Sequence, residues 1–157
     1  MPGTGDPAPG FHLPDLDGKP RSLDEILGAG PALIVFFKVT CPVCQFTLPF
    51  IERMYHAAAG SGVQFFAISQ DPDGPTRHFL REFGVTFSVF LDEEAQGYTA
   101  SNDFGITHVP TAFLVESDGR ISWVLDGFSK SELEVLGRRL GATPFRPDEN
   151  VPAWKAG

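Results

Sequence analysis

The chain has 157 residues, 42% hydrophobic and 20% charged, which is enough apolar side chain for one core and too little charge to hold the chain unfolded. Its 12 basic and 20 acidic side chains leave a formal net charge of −8, a balance that cannot neutralise phosphates and so argues against a nucleic-acid partner. Only two cysteines are present, Cys41 and Cys44, which excludes a disulfide scaffold.

Met1 to Gly10 is rich in Pro and Gly and lacks both the charged start and the apolar middle of a signal peptide. It reads as a flexible lead-in (residues 1–10) to a domain over residues 11–141, followed by an irregular tail over 142–157. As written, the chain would be cytoplasmic; a longer gene product carrying an export signal would place it outside the cytoplasm. The longest apolar run, Ala32 to Phe37, falls far short of the roughly 20 residues a spanning helix needs.

In chain order, Phe11 to Leu13 and Arg21 to Ser22 flank Asp15-Leu16-Asp17-Gly18 and predict a short hairpin. Ser22 and Glu25 form a capping box for a brief helix that Gly28 stops. Ala32 to Phe37 is continuously apolar and predicts a central strand covered on both faces. A helix is expected from Pro42 to Ala59, with Val43, Phe46, Phe50 and Met54 as its buried stripe and a bend at Pro49. Val63 to Ser69 reads as a strand, Pro75 to Phe83 as a helix ended by Gly84, and Val89 to Leu91 as a short strand. Glu94 to Phe104 follows as a less regular helix. Thr111 to Glu116 and Ile121 to Asp126 predict a hairpin around Ser117-Asp118-Gly119, and Ser129 and Glu132 cap a helix carrying Leu133, Leu136 and Leu140. Beyond it no periodicity remains, and Phe145 and Trp154 are the residues expected to hold the tail against the domain.

The chemistry concentrates at Cys41-Pro42-Val43-Cys44, where a buried strand hands over to a helix. Residues three apart on a helix share a side, with Cβ atoms about 5–6 Å apart, so a small adjustment brings two sulfurs into bonding range. Unpaired amides at the helix start favour a thiolate at Cys41, which makes Cys41 the expected nucleophile and Cys44 the thiol that resolves a mixed disulfide. A structural zinc site would need two further ligands, and His12, His56, His78 and His108 are scattered. A static disulfide closing so short a loop would stabilise little. No metal and no bound cofactor is therefore expected.

The segments GDPAPGFHLPDLDGKPRSL, ALIVFFKVTCPVC, VTFSVFLDE and GITHVPTAFLVESDGRI, with the terminal helix, resemble a bacterial thioredoxin-fold protein of the TlpA-like branch of the redoxins, over roughly Gly5 to Gly141. The resemblance implies an α/β thioredoxin-like fold, with a central mixed β-sheet flanked by helices and an N-terminal β-hairpin extension. It implies that Pro110 is a cis-proline facing the cysteines, that the Val109 backbone pairs with an extended substrate segment, and that Thr40 and Pro42 border the same surface. Its partners would be protein disulfides or dithiols and an upstream redox protein, met by a monomer.

Three departures from that pattern bear on mechanism. Thr40 replaces the tryptophan before the first cysteine, Val35 replaces the buried acid of thioredoxins, and Thr47 replaces a glutamate of several TlpA-like proteins. Neither usual proton acceptor for Cys44 is present. Lys38 and His108 are candidate tuning residues, Lys38 through its charge near the thiolate and His108 by bordering the site, although each also reads as an ordinary surface residue. A peroxidase of the peroxiredoxin type is the alternative enzyme, but its Pro, Thr/Ser, Cys spacing would need Ile34 and Lys38, or Phe37 and Cys41, to be other residues. A copper(I)-handling protein is a further alternative, since thiolates are soft ligands.

Overall fold

The computed structural model describes residues 1–157. The chain opens on a hairpin, β1 (His12–Pro14) and β2 (Pro20–Ser22), whose turn is pinned by Asp15 Oδ1 accepting the N–H groups of Asp17 and Lys19, both at 2.9 Å. Ser22 caps α1 (Leu23–Leu27) by accepting the Glu25 N–H, as the capping box requires. Then come β3 (Ala32–Phe37), buried at every residue, and α2 (Pro42–Ala57), which runs on through Pro49. After them follow β4 (Gln64–Ser69), α3 (Asp73–Phe83), which begins two residues before Pro75, and β5 (Ser88–Leu91).

The helix expected over Glu94 to Phe104 is two pieces, a 3-10 turn over Glu94–Gln96 and α4 (Thr99–Asp103). Gly97 and Tyr98 break it, both with positive φ, at 78° and 49°, values a right-handed helix cannot contain. The buried Asp92 carboxylate takes over part of the capping by accepting from the N–H groups of Ala100 and Ser101. The chain ends with β6 (Thr111–Val115), β7 (Ile121–Asp126), β8 (Phe128–Ser129), α5 (Lys130–Leu140) and β9 (Trp154–Lys155). No helix is long and apolar enough to cross a membrane.

Five strands form one mixed sheet in the order β5-β4-β3-β6-β7, with β3 parallel to β4 and antiparallel to β6. The register decides where chemistry can occur. Phe37 lies opposite Ser69 and Phe36 opposite Thr111, so the segment leaving β3, the segment leaving β4 and the segment entering β6 converge at one end of the sheet. Below that end the core is aromatic: Phe36 packs on Phe104 and Phe113 with ring centroids 5.1 and 6.2 Å apart, and Phe37 on Phe79 at 4.9 Å. Each such buried side chain contributes about 1.5–3 kcal/mol.

The buried face of α2 is rotated from the expected stripe. Cys44, Thr47, Leu48, Ile51 and Met54 are buried, whereas Val43, Phe46 and Phe50 are only half-buried. The reason is a second packing surface: Phe46 lies against Phe128 at 4.9 Å and Phe50 against Phe145 at 5.0 Å, so these rings face the start of α5 and the tail rather than the sheet. Ala142 and Phe145 belong to the core, and Arg53 on α2 holds the tail through a two-pronged pair with Glu149 at 2.7 and 3.0 Å. Trp154 does not anchor the tail with its ring, which is 63% exposed; the attachment there is through the backbone of β9 to β8. The first ten residues, expected to be flexible, are tied down as well. Gly5 N–H donates to Ile121 O at 2.8 Å, Ala8 N–H to Gly119 O at 2.8 Å, and Ile121 N–H to Asp6 O at 2.9 Å.

Candidate active site

Cys41 occupies the N-cap of α2, with extended backbone at φ −83° and ψ 113°, and Pro42 fills the first helical turn, where the missing N–H costs nothing. Its Sγ accepts the Cys44 N–H at 3.1 Å, taking one of the helix's free donors. Cys41 is half-buried and Cys44 fully buried, both as free thiols. Burial is the main cause that pushes the Cys44 thiol well above the ordinary range, with its contact to the Cys41 sulfur adding to the effect, and the Lys38 backbone opposes it. The two sulfurs therefore differ in access, and the position of Cys44 holds its proton on.

Opposite them, the Val109-Pro110 peptide bond is cis, and the Cys41 thiol donates to Val109 O at 3.4 Å. Thr111 Oγ1 donates back to His108 O at 2.8 Å, which fixes the loop over residues 108–110. Of the two residues that the resemblance sets facing the cysteines, Val109 meets the Cys41 thiol through its carbonyl, and Pro110 follows it across the cis bond. Thr40 and Pro42 are exposed beside Cys41. Lys38 and His108 both line a cavity of about 400 Å³ that opens on Cys41, together with Gln70, Tyr98 and Val109. Both ring nitrogens of His108 are engaged, Nε2 by Asp126 and Nδ1 by Thr107 Oγ1 at 3.0 Å.

Two residues of the site are absent from the sequence reading. Asp71 Oδ2 accepts the Val39 N–H at 2.8 Å and Gln45 Nε2 donates to Val39 O at 3.0 Å, so the peptide leading into the cysteines is gripped from both sides. Asp71 is also a negative charge that raises the Cys44 thiol further, behind the effect of burial. The available signal was its position two residues past β4, which matters only once β4 is known to lie beside β3. Thr47, at the position of a glutamate in several TlpA-like proteins, is buried and donates to Val43 O at 2.6 Å, so it serves the helix and offers Cys44 no base.

A dithiol at a strand-to-helix junction, facing a cis-proline loop on a mixed five-stranded sheet, defines a thioredoxin-fold oxidoreductase of the redoxin superfamily. More narrowly, residues 4–124 match the AhpC/TSA family, and the chain belongs to it. Among curated relatives, the thiol-disulfide oxidoreductase ResA of Geobacillus thermodenitrificans is 28% identical over 130 residues, covering 82% of this chain and 72% of the relative. A putative thiol:disulfide interchange protein DsbE from Chlorobium tepidum superposes with a TM-score of 0.76 at 26% identity, covering 88% of this chain and 96% of that one. The peroxidoxin BcpB from Mycobacterium tuberculosis superposes with a TM-score of 0.74 at 25% identity, covering the same shares.

Proposed function

We infer that this chain is a thiol-disulfide oxidoreductase that exchanges disulfides with protein thiols, with Cys41 as nucleophile and Cys44 as resolving thiol. The observation that carries the assignment of roles is the asymmetry between a reachable Cys41 at a helix N-cap and a buried Cys44 one turn inside. In the reducing direction, the Cys41 thiolate attacks one sulfur of a substrate disulfide, and the other sulfur leaves as a thiolate. The Cys44 sulfur then attacks Cys41, which releases the second substrate thiol and leaves a Cys41–Cys44 disulfide. Two electrons pass to the substrate, and the Cys44 proton goes to the departing sulfur or to water. An upstream dithiol protein restores the pair by the same chemistry in reverse.

The name of the ResA relative and that of the DsbE structure support this reading. The BcpB likeness keeps a peroxidase in view, but no arginine lines the Cys41 cavity to polarise a peroxide. The test is reduction of insulin by the reduced protein. Cys41→Ser is expected to abolish it and Cys44→Ser to accumulate a mixed disulfide with the substrate. Full activity in Cys41→Ser overturns the assignment, and rapid Cys41-dependent consumption of hydrogen peroxide without insulin reduction replaces it with the peroxidase.

A further inference from the structure

We propose that the segment Trp154–Gly157 is a strap laid across the lane by which an extended protein segment reaches Cys41, so that it selects against protein substrates until it lifts. This rests on the reading of Val109 as the backbone that pairs with substrate. The Val109 carbonyl is already taken by Cys41, and its N–H makes no hydrogen bond within the chain. An incoming extended strand would take that N–H. Yet Val109 is only 7% exposed, and what lies against it is the tail. A side-chain carbon built on Gly157 would sit 2.6 Å from Val109 O and 2.9 Å from the His108 ring.

The tail reaches this place by a defined path. Lys130 N–H donates to Ala153 O at 2.9 Å, β9 pairs antiparallel with β8 through Phe128 opposite Lys155 and Ser129 opposite Trp154, and Lys155 Nζ lies 5.2 Å from the centre of the Phe46 ring. The closest approaches fall at glycines on both sides. Gly127, at φ +71°, lies where a side-chain carbon would meet Lys155 O at 2.6 Å, and Gly157 occupies the corresponding place against Val109. Contact this close between two backbones is possible only without side chains.

The strap is also lightly held. It is a two-residue strand whose residues are exposed, and its neighbours Ala153, Ala156 and Gly157 are exposed as well. Segments with few buried contacts open at low free-energy cost compared with the core. Covered, the lane denies a protein strand its pairing partner, while the polar cavity that Lys38, Gln70 and Tyr98 line, with Gly157 of the strap at one edge, still opens on Cys41. A small disulfide can therefore react with the strap in place, and a protein disulfide cannot.

The test compares the full chain with a chain ending at Pro152, each reduced, on insulin and on a small aromatic disulfide. Insulin reduction by the shortened chain is expected to rise several-fold, by the factor to which the covered state outweighs the open one, with the small-disulfide rate changing far less. Equal insulin rates, or a lower one, overturn the strap. Fluorine NMR of fluorotryptophan-labelled Cys44→Ser full chain gives a second measurement that does not depend on the shortened chain folding. On forming a mixed disulfide with a protein substrate, the Trp154 resonance should shift while that of buried Trp123 stays, and an unmoved Trp154 also overturns the proposal. Cys41→Ser in the small-disulfide assay, whose substrate needs no backbone pairing with Val109, separates failure of the dithiol chemistry from failure of the strap.

Discussion

The Cys41 thiol and the Val109 carbonyl meet at 3.4 Å although 68 positions separate them in the chain. The meeting is produced by the sheet: β3 and β6 are antiparallel neighbours, so the end of one and the start of the other share a rim. What holds the Val109 side of the contact in shape is the Thr111 hydroxyl on His108 O.

Thr111→Val removes that hydroxyl without changing the shape of the residue much. It is expected to cost about 0.5–1.5 kcal/mol of stability, the net worth of one hydrogen bond. It should also lower the rate of insulin reduction more than the rate with a small disulfide, since in the proposed pairing with Val109 only a protein substrate uses the loop backbone. Urea unfolding and parallel rate measurements check both.

The buried thiol gives a pH dependence of fixed sign. Because the folded state holds the Cys44 proton above the ordinary thiol range, this contribution to stability is fully present below the unfolded thiol's value of about 8.5 and is lost as pH rises above it. The fall has a limiting slope of about 1.4 kcal/mol per pH unit. Reduced wild-type protein should therefore lose more stability than Cys44→Ala between neutral and alkaline pH, as read from urea midpoints.

Glu52 carries the opposite dependence. Its burial by itself would raise the carboxyl, but the hydroxyl and N–H of Thr86, at 2.6 and 2.8 Å, together with His56 more than offset this and hold it below the usual range. Its stabilisation is present above the unfolded carboxyl's value and disappears as pH falls through the folded one. Glu52→Gln is expected to be less stable at neutral pH by about 1.5 kcal/mol or more, the scale of hydrogen bonds to a charged group, with the difference closing in acid. Unfolding midpoints across pH measure it.

Phe128 is the centre of the ring cluster that joins α2, the start of α5 and the tail, touching Phe46, Phe50 and Phe145. It is fully buried. Phe128→Ala should cost about 3–5 kcal/mol and free the tail together with it, so calorimetry should show a lower midpoint and limited proteolysis an earlier cut after residue 141.

Much of this was legible in the residues. Ala32 to Phe37 matched its strand end to end because a sequence apolar at every position has only one kind of place to go. Ser22 and Ser129 marked their helices because the cap is a local hydrogen bond, seen as Glu25 and Glu132 N–H groups donating to serine oxygens. What could not be read was set by distant contacts. The buried face of α2 was displaced by rings from Phe128 and Phe145, far along the chain, and Asp71 became part of the site only through the parallel register of β3 and β4. The break at Tyr98 had the glycine before it as a cue, but a non-glycine residue in left-handed backbone has no sequence mark.

The hairpin at the front of the chain has an effect beyond its own turn. Asp15 bridges to Phe90 on β5 at one side of the sheet, and on the other Pro7 bridges to Arg120 beside β7. A strand left open along its length is a template for a neighbouring molecule's strand, and proteins that leave one bare tend to aggregate. Here the two outermost strands each carry a bridge to a segment of the same chain, which shortens the stretch of edge left open to a neighbour's strand.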